Sequence, residues 1–127
     1  MLDAKALLEW VTADPDFCDR LPVGEDADKA MDARDEPTTE QAWLREHETV
    51  QALLKQLGAE AAGDVPEAVA EAAFRRAYDV SEHHEMAAQV SDDMRLLAEA
   101  SLANHRSVSL QTLWEVYRGG TFPTLLR

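Results

Sequence analysis

Between Glu36 and Gly58 the chain reads EPTTEQAWLREHETVQALLKQLG, and this segment alone rules out most folds. Trp43, His47, Val50, Leu54 and Leu57 recur at spacings of four and three. That rhythm gathers them on one face of a helix and would scatter them over both faces of a strand. Thr38 stands three residues before Gln41, the spacing of a capping box, and Gly58 is the residue type that most readily ends a helix. The pattern predicts a helix over 38–57.

The same grammar repeats along the chain. An Ala-rich loop, GAEAAGD, leads to a helix over 65–78, with Asp64 as cap, Pro66 in the tolerant first turn and Val65, Val69, Ala72 and Ala73 as a small-residue face for close packing. Asp79 and Ser81 mark a break. A helix over 81–105 follows, striped by His83, Ala87, Val90, Met94, Leu97 and Ser101, with Ser91-Asp92-Asp93 as the place for a kink. A last helix over 109–118 is capped by Ser109, stopped by Gly119-Gly120 and apolar at Leu110, Leu113, Trp114 and Tyr117. Residues 1–36 read as short acidic helices: a stripe of Ala4, Leu7, Leu8 and Val11, then DPDFCDRL and EDADKAMDAR, each opened by an acid. There is no isoleucine and no alternating β-branched run, so strands are not expected. The fold class is therefore all-α, an irregular bundle of about five or six helices in a single domain over 1–127. The tail 119–127 carries Phe122, Leu125 and Leu126 around Pro123; it folds back onto the bundle or reaches a neighbouring chain.

Charge narrows the partners. The net charge is -13, a field that repels a phosphate backbone, so direct nucleic-acid binding is not expected. No apolar run nears the roughly 18 residues of a membrane span, and MLDAKALLEW, with Asp3 and Glu9, lacks the pattern of a secretory signal. A single cysteine, Cys18, offers no internal disulfide. A cytoplasmic location is the expectation.

Candidate chemistry is sparse. The stretch SEHHE sets His83 and His84 about 100 degrees apart on a helix, so they cannot share a metal. None of the four histidines follows a Glu at three residues, which removes the carboxylate-bridged two-metal motif. His47 falls within the stripe of its helix and His83 at the edge of another. The two are the weak metal candidates if packing brings them together; otherwise both are satisfied core or edge residues. Asp14, Asp16 and Glu25 take positions one, three and twelve of a calcium loop, but Cys18 and Asp19 occupy positions five and six, where an acid or amide and then a glycine are needed. Nucleophile elbows and phosphate-binding glycine loops do not occur, and no cofactor is implied.

What remains is surface. Residues 14–36 hold nine acids, Asp14, Asp16, Asp19, Glu25, Asp26, Asp28, Asp32, Asp35 and Glu36, against Arg20, Lys29 and Arg34. Such a run either solubilises the chain or steers and orients a basic partner protein. The sequence favours a non-catalytic interaction protein of the adaptor, chaperone, inhibitor or immunity type over an enzyme. A small metal or ligand binder built on His47 and His83, or an enzyme accessory subunit, is the alternative. A homo-oligomer is equally compatible with the stripes.

Overall fold

The computed structural model describes residues 3–58 and 63–126, which hold six α-helices and no strand. The helices are α1 (Ala4–Ala13), α2 (Gly24–Arg34), α3 (Pro37–Leu57), α4 (Val65–Ser81), α5 (His84–Leu102) and α6 (Val108–Arg118). Most of the loop GAEAAGD, residues 59–62, lies outside the described residues, as do Met1, Leu2 and Arg127.

Helix α5 is the axis of the fold. Nine of its residues are buried, among them Met86, Val90, Met94 and Leu97, because it is covered on several sides at once. It packs most extensively on α4, from which only Glu82 and His83 separate it, and the small residues Ala70, Ala73 and Ala77 let the two backbones approach. The hydroxyl of Ser91 donates to the Ala70 carbonyl at 2.8 Å and pins that approach. Helix α1 lies on α4 and α5 through Leu7 and Val11, while α3 and α6 pack on each other and on α5. Trp10 meets Phe17 and Trp114 edge-on, with centroids 4.8 and 5.0 Å away, which ties α1 to α6.

Several boundaries differ from the sequence reading, each for a local reason. The break after α4 falls at Glu82, which takes the left-handed conformation at φ 53°, rather than at 79–81. His83 is then the N-cap of α5: its Nδ1 accepts from the Met86 amide at 3.1 Å. Helix α5 ends at Leu102 rather than 105 and runs through Ser91-Asp92-Asp93 as one helix. Helix α3 is capped by Glu36 rather than Thr38, since the fixed φ of Pro37 already suits the first helical position. Ser107, not Ser109, caps α6 by accepting from the Leu110 amide at 3.1 Å. The DPDFCDRL segment is a run of turns rather than a helix. Asp14 accepts from the Asp16 amide at 2.8 Å, Cys18 sits at φ 63°, and the Arg20 amide donates to the Gly120 carbonyl at 3.0 Å.

The tail folds back. Phe122 and Leu126 are buried, the Leu126 amide donates to the Thr39 hydroxyl at 3.2 Å, and Leu125 points to solvent.

Candidate functional site

The buried face of α3 is Thr39, Ala42, Glu46, Val50 and Leu54, turned from the stripe expected through Trp43 and His47. Trp43 and His47 therefore sit half-buried at the margin, with rings stacked at 5.1 Å and 12°. That rotation places the indole of Trp43 beside the end of α2 and the middle of α5.

There, Asp93 lies fully inside the protein. A bare carboxylate at that depth would cost several kcal/mol, so its surroundings must supply donors. Five converge on it. Arg34, from the last turn of α2, binds it with both terminal nitrogens at 2.7 and 2.9 Å. Trp43 Nε1 donates at 2.9 Å, Gln89 Nε2 at 3.0 Å, and the Tyr117 hydroxyl donates from α6. Arg34 also reaches the Pro123 carbonyl at 2.9 Å and lies over the Phe122 ring at 5.6 Å. One carboxylate thus fastens α2, α3, α5 and α6, and its arginine fastens the tail. Burial opposes the Arg34 charge, yet Asp93 outweighs it and holds the guanidinium above its ordinary pKa. Burial, and then the Asp93 charge, push the Tyr117 phenol far up. With five donors on two oxygens, Asp93 has no capacity left for proton abstraction. It is an anchor.

Above this anchor opens a cleft of ≈ 260 Å³, lined by Arg34, Asp35, Glu40, Trp43, Leu44, Gln89 and Asp92. Asp35, Glu40 and Asp92 are exposed carboxylates, and Leu44 is one of the protein's few large exposed apolar side chains, at 45%. Partial burial, then the neighbouring Asp93, raise the Asp92 pKa against the opposing pull of Arg95 and His47.

The acids singled out from the sequence lie around α2. Asp16, Asp19, Glu25, Asp26, Asp28, Asp32, Asp35 and Glu36 are exposed and Asp14 is half-buried. Three have local duties: Asp14 in its turn, Glu36 as the α3 cap, and Asp28, whose Oδ1 is 2.8 Å from His83 Nε2. The three bases of the segment divide unevenly. Arg20 and Lys29 face solvent, but Arg34 is consumed by Asp93, so eight exposed acids stand against two exposed bases.

The histidines are partnered separately. His83 caps α5 and contacts Asp28, while His47 stacks on Trp43. His105 is 3.0 Å from the buried Glu46, a second polar pair, between α3 and the segment that follows α5, and Gln51 donates to Glu99 at 2.8 Å nearby. Among the described residues no three His, Cys, Asp or Glu side chains gather as a metal site requires. Cys18 is buried, and that burial pushes its thiol up to about 12, with Asp19 adding to the rise against the pull of Arg76. No described helix is long and apolar enough to cross a membrane.

Arg34, Glu46 and Asp93 were missed as a group by the sequence reading. A signal existed for Asp93: it sits three residues after Val90 and four before Leu97, within the apolar stripe, where a carboxylate must find a cation.

The architecture is that of a small all-α bundle whose polar interior is spent on structure and whose acidic, cleft-bearing face is turned outward. The chain matches the family model described as immunity protein PIM1 over residues 7–124 and belongs to that family. The match begins within α1 and ends just past Pro123, so it spans the Arg34–Asp93 anchor and the first part of the tail, including the Pro123 carbonyl that Arg34 holds. No curated protein matches the chain.

Proposed function

We propose that this chain is a non-enzymatic immunity factor that binds a partner toxin in the cytoplasm and keeps it inactive through its acidic face. The family match over residues 7–124 carries this reading. The charge distribution supports its finer part: with Arg34 buried, the surface of residues 14–36 is more negative than its composition implies. Such a surface steers a basic protein into one orientation and accelerates its capture. If the toxin acts on nucleic acid, carboxylates here would fill the groove meant for phosphates.

The test starts from the tagged chain purified gently from its own cells at low salt and weighed by native mass spectrometry. The expected result is a complex with a basic polypeptide that is lethal when expressed alone and harmless with this chain. Glu25→Lys, Asp26→Lys and Asp32→Lys together should slow association, and salt should mimic them. Asp28 is spared because it holds His83. A partner that is harmless by itself would overturn the immunity reading, and salt-independent binding unmoved by charge reversal would overturn the acidic docking face.

A further inference from the structure

We infer that the cleft between the end of α2, the first half of α3 and the middle of α5 receives one arginine side chain of the partner protein. This rests on the immunity reading above and deepens it. The cleft measures ≈ 260 Å³, below the roughly 300–1,000 Å³ of small-molecule pockets, which is room for one long side chain. The cation in its lining cannot neutralise it, because Arg34 is bound by Asp93 and the Pro123 carbonyl, and Arg95, which also acts on Asp92, is paired with Glu67 at 2.9 Å. Asp35, Glu40 and Asp92 remain as three carboxylates around it.

The walls choose among cations. The Trp43 N–H is committed inward to Asp93 and one ring face is stacked on His47, so what the indole still offers is its other face, held rigid by those two contacts. Leu44 adds an apolar surface for methylenes. A planar guanidinium stacks on an aromatic ring while donating to two carboxylates, and its weak hydration makes the transfer cheap; an ammonium is a strongly hydrated point charge. The cleft also continues the acidic surface of α2 through Asp35, so a basic partner steered there arrives beside it. Buried arginines at the centre of an interface are common carriers of its affinity.

The experiment titrates the whole chain, labelled with nitrogen-15, with acetyl-Gly-Arg-Gly-amide, its citrulline analogue and its lysine analogue. The arginyl peptide should give saturable shifts at the Trp43 indole and the Gln89 side-chain amide, leaving the indoles of Trp10 and Trp114 still. Citrulline, which has the shape without the charge, should bind at least tenfold more weakly, and so should the arginyl peptide to the Glu40→Gln/Asp92→Asn chain, whose spectrum reports its folding. Equal shifts from arginine and citrulline, or shifts confined to residues 25–32, overturn the cleft assignment; equal binding of lysine overturns the choice of guanidinium. The two readings fail separately. A chain that protects cells from its toxin but shows no cleft response refutes the cleft alone, and a responsive cleft in a chain that protects against nothing refutes the immunity reading.

Discussion

Replacing Asp93 by asparagine looks conservative and is expected to be the most damaging single-atom change in the protein. The carboxylate accepts five hydrogen bonds: Oδ1 takes Arg34, Trp43 and Gln89, while Oδ2 takes Arg34 and Tyr117. An amide keeps one acceptor and turns two N–H donors toward donors, and it leaves the buried Arg34 charge without its counter-ion. Removing one partner of a buried pair costs roughly 3–5 kcal/mol, against a whole-domain stability of about 5–15 kcal/mol. At this chain length that loss corresponds to a fall in Tm on the order of 10–20 °C. Arg34→Met should cost less, because Asp93 then keeps the donors of Trp43, Gln89 and Tyr117. Tyr117→Phe should cost least, roughly 1–3 kcal/mol for one bond to a charged group. Urea unfolding followed by tryptophan fluorescence orders the three variants. Asp93→Asn costing no more than Tyr117→Phe would refute the view that the carboxylate is the anchor, as would an Arg34→Met/Asp93→Leu chain that loses as much as the two single changes combined.

Three shorter expectations come from particular atoms. His83→Ala should cost about 1 kcal/mol by uncapping α5, and His83→Asn should recover most of it, as measured by urea midpoints. Cys18, buried and with a thiol pushed up to about 12, should resist alkylation at pH 8 in the native chain and react once urea unfolds it; fast native labelling would contradict the burial. Gly120 sits at φ 86° with Asp19 Oδ1 2.3 Å from where a Cβ would stand, so Gly120→Ala should destabilise by roughly 1–3 kcal/mol in the same unfolding assay.

The sequence carried the helices well and the polar interior poorly, for a physical reason. Helix periodicity is a local signal: the α5 stripe through Ala87, Val90, Met94 and Leu97 is buried as the spacing requires. The face of α3 was misjudged because Trp43 and Leu57 look like core while Thr39 and Glu46 do not. Yet Thr39 holds the tail and Glu46 meets His105, whereas Leu57 is 60% exposed. Burial of a polar residue depends on a partner far away in sequence, such as Arg34 for Asp93 at a separation of 59, and a single sequence does not display such pairings. The turns of DPDFCDRL were misread likewise, since Asp14 serves an opening turn as well as a helix cap, and the Gly120 carbonyl that helps fix the segment comes from the other end of the chain. The acids of 14–36 were legible as charge. The cleft they lead to was not, because it exists only where α2, α3 and α5 meet.

That cleft sets stability against recognition, and Asp92 shows the conflict in measurable form. Its folded pKa lies above the ordinary carboxylate value, chiefly through partial burial and then through Asp93. An acid with a raised folded pKa binds more protons in the native chain than in the unfolded one, so its linkage favours folding as pH falls through the folded pKa and opposes it at neutral pH. Asp92→Asn should therefore raise Tm at pH 7. The gain should vanish below the unfolded pKa of about 4, where both chains carry a neutral group. The same variant should bind the arginyl peptide more weakly, because it removes one of the three carboxylates around the cleft. A residue whose removal stabilises the fold while impairing capture is placed for binding. If Asp92→Asn lowers Tm at pH 7 instead, Asp92 is part of the anchor beneath it, and the division between structural Asp93 and surface-serving Asp92 is wrong.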